Sequence, residues 1–280
     1  MNEGSSSRVI AIVAVLVVLA GGGYLIWQRQ HVPPPPPAPA VVQAPPLPAP
    51  PPPPPPPDAG IQHPVEPLAT KGPLPSLDES DDYIKKILTD LFGHKLRGFL
   101  LFTGFARNFV ATVDNLAREH ASTQFWPVNP TPGDFKIEAR AASTVIAANN
   151  AARYAPFVRF AAGVDSRRAV AFYLRLYPLF QQAYVDLGYP GKYFNDRVVE
   201  VIDHLLETPD LAGSIRVKQI EVQGAAPGAR PLYKYEDPAL EARSAGQKIL
   251  MRMGRDNAER LKAKLLEVRQ LIAKKPRTAH

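Results

Sequence analysis

"YPLFQQAYVDLGYPGKYFNDRVVEVIDHLLETPD", residues 177 to 210, decides how this chain is read. It joins two amphipathic stretches across a turn rich in Gly and Pro. Projected at helical spacing, residues 168–187 place Arg168, Arg175, Gln182 and Asp186 in one polar stripe, with Phe172, Leu176, Leu179, Phe180, Ala183 and Leu187 turned away from solvent. Pro178 inside this run predicts a kink or break near Tyr177. In the second stretch, over 196–207, Val198, Val199, Val201, Ile202, Leu205 and Leu206 fill one half of a helix. Asp196, Arg197, Glu200, Asp203, His204 and Glu207 fill the other half, a division expected of a solvated outer face. Asn195 is the expected N-cap, and Asp196 in the first turn suits the helix dipole.

Working outward, the same periodicity predicts a mainly α fold. Ser76 and Glu79 have the S-x-x-E capping spacing, Ile84, Ile87, Leu88 and Leu91 share a face, and Gly93 is placed to close that helix. "LRGFLLF" and "FARNFVATVDNLAR" read as two more helices. "STQFWPVNPTPGDFKIEA" reads as an ordered extended loop in which Phe125, Trp126 and Phe135 need burial. Further helices are expected at 144–162, 166–187, 196–207, 238–253 and 256–273, with Asp237 capping Pro238. "IRVKQIEV" and "LYKYE", joined by "QGAAPGARP", suggest a small β-hairpin. The result is a single helical domain of about seven to eight helices over 76–275, with a tail at 276–280.

The first quarter of the chain has another composition. Of the 32 prolines, 21 precede Ser76. Residues 9–27, "VIAIVAVLVVLAGGGYLIW", carry no charge over 19 positions, enough to cross a hydrocarbon core about 30 Å thick. Tyr24 and Trp27 suit the interface. A transmembrane anchor is therefore expected at 9–27 behind a cytoplasmic tail at 1–8; a cleaved signal peptide, cut near Ala20 to Gly23, is the rival reading. Arg8 and the α-amine nearly balance Arg29, and the N-terminus is placed inside as in a signal anchor. Residues 28–75 then form a proline-rich, disordered spacer reaching at most roughly 150 Å in polyproline II form. Its alternative use is as a ligand for SH3-like or WW-like modules. These readings locate the protein in the inner membrane, single-pass, with its C-terminal domain in the periplasm.

With no cysteine, disulfides, thiolate metal sites, a thiol nucleophile and a lipidation cysteine are excluded. The net charge of +7 is concentrated at the end, where residues 239–280 hold 11 Lys/Arg against 4 Asp/Glu. There Leu261, Leu265, Val268 and Ile272 form a seam bordered by Arg260, Lys262, Lys264 and Arg269, suited to packing with a basic rim or to an anionic surface. Nucleic acid is not an expected partner in this compartment.

Eight of the 24 aromatic residues fall between Phe172 and Phe194. Most belong to a core, while Tyr189 and Tyr193 flank a turn where exposed rings suit partner proteins or sugars. The candidate binding residues are Tyr177, Gln181, Tyr184, Tyr189, Tyr193, Asn195, Asp196, Arg197, Glu200, Asp203 and His204. Gln181 shares a side with Tyr177 and Tyr184 and is expected to hydrogen-bond there. Glu200 and His204 stand four apart, but H-E-x-x-H is absent and no third ligand follows, so no metal is expected. No G-x-S-x-G, Walker A or G-x-G-x-x-G pattern occurs, and neither a cofactor nor a catalytic residue is assigned. The leading expectation is a domain that binds an envelope protein or peptidoglycan; the alternative is a cell-wall glycan hydrolase using Asp196, Glu200 or Asp203.

The phrases "FVATVDNLAR", "YPLFQQAYVDLGYPGKYFNDRVVEVIDHLLETP" and "SAGQKILMRMGRDNAERLKAKL", in that order behind an apolar span and a proline-rich segment, resemble a family of uncharacterised proteobacterial proteins, domain of unknown function 3014. The resemblance covers most of residues 76–270. It implies a Gram-negative envelope setting and carries no catalytic or binding residues.

Overall fold

The computed structural model describes residues 60–70, 72–92, 98–141, 143–220 and 231–273. The expected tail at 1–8, span at 9–27, spacer as far as residue 59, helix end at Gly93, hairpin turn after residue 220 and C-terminal tail lie outside these residues. Among the described residues no helix is long and apolar enough to cross a membrane.

The fold is mainly helical with a small four-stranded antiparallel sheet. A 3-10 turn at Leu77–Glu79 leads into α1 (Ser80–Phe92), followed by α2 (Phe105–Leu116). Then come β1 (Ile137–Arg140), β2 (Ser143–Ile146), a 3-10 segment at Ala148–Arg153, and α3 (Ala155–Ala162). α4 (Ser166–Asp186) and α5 (Phe194–Leu206) are the helices of the opening quotation. β3 (Arg216–Ile220), β4 (Leu232–Tyr235), α6 (Pro238–Glu241), α7 (Ala245–Arg252) and α8 (Arg255–Ile272) complete the domain.

α4 lies at the centre, packed between α2, α5 and α8. Its Phe180 has no exposure and meets Phe109 of α2 at 4.8 Å between ring centroids and Tyr173 at 5.8 Å, while Tyr184 meets Phe194 of α5 at 5.3 Å. Each such side chain, fully buried, contributes roughly 1.5–3 kcal/mol of hydrophobic stabilisation. Leu187 departs from the projection: it is exposed, because the helix ends at Asp186 and the chain turns at Gly188.

Pro178 does not break α4, which runs unbroken across it. Proline lacks the amide that would bond the carbonyl four residues back. That carbonyl, of Leu174, instead accepts the amide of Leu68 at 3.2 Å. The spacer expected to reach residue 75 is thus shorter among the described residues: residues 60–70 and 72–75 lie on the domain, and Val65 and Leu74 pack against its core.

The sheet corrects the expected hairpin. β3 and β4 pair as predicted, with Val217 opposite Tyr235, but the order is β1-β2-β3-β4. Thr144–Ile146, expected to start a helix, is strand, and helix begins only at Ala155. The end of the expected loop, Ile137–Ala139, is strand as well. Phe125 of that loop is exposed, whereas Trp126 is buried. Of "LRGFLLF", the described part is not α-helix: Leu100 bridges Val128. The expected helix 238–253 divides at Ser244, whose side chain accepts the Gln247 amide and starts α7.

Of two starts, one lacks the expected cap and the other is capped from a neighbouring helix. The Ser76 hydroxyl donates to the Glu79 carboxylate at 2.9 Å, side chain to side chain, and caps no amide. Asp81 of α1 reaches across to the amides of Gly104 (2.6 Å) and Phe105 (3.0 Å), fixing the start of α2 where Gly104 adopts φ +62°.

α7 approaches α2 and α5 closely at Gly246. A Cβ there would lie 2.5 Å from Leu205 Cδ2 and 2.9 Å from the Leu116 carbonyl oxygen. Gly246→Ala is therefore expected to destabilise the domain by about 1–3 kcal/mol in denaturant unfolding, since the backbone oxygen cannot rotate away. Wild-type stability in this variant would show that α7 has slack at this crossing.

Candidate binding face

The candidate residues belong to α4, α5 and the turn between them, and most are tied into the domain. Gln181 accepts from the Tyr177 hydroxyl (2.8 Å) and the Phe194 amide (2.9 Å) and donates to the Lys192 carbonyl (2.8 Å), so one amide holds the turn onto α4. Tyr184 stacks on Tyr189 at 4.5 Å. Tyr189 donates to Asp114 and receives a hydrogen bond from Arg118.

The polar half of α5 is not a solvated outer face. Arg197 donates to the Asp114 carboxylate (2.9 Å), the Asp114 carbonyl (2.9 Å) and Glu200 (2.7 Å). Burial disfavours the Arg197 charge, but Glu200 and Asp114 outweigh it and hold the guanidinium above its ordinary pKa. Asp203 forms a two-pronged pair with Arg269 of α8. The His204 carbonyl accepts from Gln247 of α7 at 2.9 Å, and its Nε2 is buried. Glu200 and Glu207 stay exposed.

Asn195 is not the cap: α5 starts at Phe194, with Tyr193 in the capping position, and Asn195 is fully buried. Its carboxamide accepts from Tyr173 (3.1 Å) and donates to the carbonyls of His63 (2.8 Å) and Ile272 (3.2 Å). It joins α4, the last turn of α8 and the N-terminal segment. Asp196 accepts the amides of Gln62 (3.0 Å) and His63 (2.7 Å). The Tyr193 hydroxyl accepts the Val65 amide (3.2 Å) and donates to the Val65 carbonyl (3.0 Å). Residues 61–68 therefore form a strap laid along this face.

Two contributors escape the sequence reading. Asp114 sits in α2 with 3% exposure, and the signal for it is a lone acid within the apolar "FVATVDNL". The strap is hidden by its prolines, although "IQHPVEPL" keeps amides between them.

Asp196 is covered by amides, Glu200 pairs with Arg197 and Asp203 with Arg269, so no pair of free carboxylates faces a cleft on α5. Among the described residues no three His, Asp or Glu side chains gather as metal ligands. A cleft of about 340 Å³ opens elsewhere, lined by Ala147, Thr208, Leu211, Met251 and Arg252, and none of the candidate residues borders it. The Arg252 guanidinium lies over Tyr235 and Phe135 and donates to the Tyr233 carbonyl, bracing the edge of the sheet.

The buried phenols predict an alkaline limit. Burial raises the pKa of Tyr173, Tyr177 and Tyr235, and burial with Asp114 nearby pushes Tyr184 up to about 12. A raised folded pKa gives stability that is complete below the unfolded value near 10 and lost as pH rises above it, because the unfolded chain ionises first. Tyrosinate absorbance is expected to rise in a cooperative step above pH 10 together with loss of circular dichroism. A gradual rise that ionises all ten tyrosines with the fold intact would contradict the burial of these hydroxyls.

No curated protein and no solved structure matches the chain. A family model described as "Protein of unknown function (DUF3014)" matches residues 105–269, which take in α2 through most of α8. With more than half its length matched, including the whole α4–α5 face, the chain belongs to the DUF3014 family.

Proposed function

We propose that this is a single-pass inner-membrane protein whose residues 9–27 anchor it, whose proline-rich spacer carries the helical domain away from the bilayer, and whose domain binds an envelope protein on the periplasmic side without catalysis. The uncharged 19-residue run and the proline composition support the anchor and the spacer. The observation that carries the binding role is the strap: Tyr193, Asn195 and Asp196 already hold an extended polypeptide through its main chain. A surface built to hold backbone favours a protein partner over a glycan. The pairing of every α5 carboxylate that hydrolysis would use also supports binding over catalysis.

Alkaline phosphatase fused after His280 is expected to be active, and β-galactosidase fused at the same place silent. A photo-crosslinker at Gln62 in cells is expected to give a discrete adduct that Asp196→Ala weakens. The opposite reporter pattern would overturn the location; adducts with abundant neighbours only, unchanged by Asp196→Ala, would overturn the binding role.

A further inference from the structure

The strap is held entirely by its backbone wherever it hydrogen-bonds to this face. The amides of Gln62, His63, Val65 and Leu68 and the carbonyls of His63 and Val65 make the six contacts. Val65 packs against the core, whereas Ile61, Pro64, Pro67 and Leu68 are exposed. The two prolines stand where the face accepts no amide, and their fixed φ lowers the cost of ordering an extended segment. The face thus reads a defined pattern: amides at four positions, proline allowed at two between them, and an aliphatic side chain in the middle. The denser proline runs at 33–37 and 50–57 lack the amides to replace it.

Each copy of the chain carries one such segment and one such face. We infer that the face exchanges straps between two copies, residues 61–68 of one chain seating on Tyr193, Asn195 and Asp196 of the other. The contacts made in trans are those made in cis, so exchange forfeits none of them, and mutual exchange closes as a two-fold dimer. Leu74 packs on the core, so the stretch that can re-route is the six Cα–Cα steps from Leu68 to Leu74, a reach of about 20 Å. Within that stretch nothing lies within 4 Å of where a Cβ on Gly72 would stand. A tether that crowds copies on one membrane raises the effective concentration of each strap at its neighbour's face. This inference rests on reading the face as a binding surface and names its partner.

Two full-length variants in mild detergent test it. His63→Pro with Val65→Pro removes two strap amides and leaves the face intact; Tyr193→Phe with Asp196→Ala disables the face and leaves the strap intact. The chain has no cysteine, so one introduced at Glu119 labels each variant singly. Each variant alone is expected to elute as a monomer, and their mixture as a mixed dimer carrying both labels. A fluorescent peptide of residues 60–70 is expected to bind the strap-disabled chain at least tenfold more tightly than the face-disabled chain. Peptide binding without a mixed dimer would overturn strap exchange and leave the face as a site for another protein. Neither peptide binding nor a mixed dimer would overturn both. Wild-type chains labelled separately give a readout that does not depend on the folding of the variants: energy transfer is expected on co-incubation, suppressed by excess peptide, and its absence at high concentration would sink the exchange.

Discussion

Asp114→Ala is expected to lower the stability of the domain by about 3–5 kcal/mol, the cost of removing one partner from a buried ion pair. For a domain of this size that is a fall in Tm of roughly 6–20 °C. Asp114 holds Arg197 through its carboxylate and its carbonyl, holds Arg118, and accepts from Tyr189. Without the carboxylate, the Arg197 guanidinium stays largely inside the protein, its side chain 16% exposed, with only Glu200 as a charged partner. The cause is separable from packing loss by a double variant: Asp114→Ala with Arg197→Met should recover part of the stability, because no unpaired charge then remains. If the double variant is less stable than Asp114→Ala by the full cost of Arg197→Met alone, the ion pair is not the source.

Asn195→Ala is expected to cost about 2–4 kcal/mol, or roughly 5–15 °C in Tm. The size follows from what is stranded: the buried Tyr173 hydroxyl loses its acceptor, and the carbonyls of His63 and Ile272 lose their donor. Three elements meet at this carboxamide, so the effect should spread. Amide hydrogen exchange is expected to speed up in the strap and at the end of α8 together. Faster exchange confined to the strap would mean that the Ile272 contact contributes little.

Much of the helical body was legible because its periodicity is strong. α2, α4, α5 and α8 lie within a residue or two of where apolar spacing puts them. The failures have separate physical causes. β1 and β2 have four residues each, too few for alternation to register, and β1 is exposed throughout, so no apolar face betrays it. The polar half of α5 reads as solvated because a charged face that meets solvent and one that meets Asp114, Arg269 and a strap have the same sequence pattern. Periodicity tells which residues avoid the apolar core, and the polar side can still be an interior between elements. Asn195 has the residue type of a cap, while its true partners, His63 and Ile272, are 132 and 77 residues away in sequence. By sequence the strap reads as spacer, because its two prolines resemble the upstream tract, although its free amides are what bind.

The amide that Pro178 lacks leaves the Leu174 carbonyl open in mid-helix, and Leu68 fastens there. Any tension transmitted along the N-terminal chain would accordingly reach Gln62 and His63 first, then Val65, and only afterwards the notch on α4. Attachments loaded in succession peel at low force, so the segment would act as a mechanical fuse, lengthening the leash before the helices bear strain.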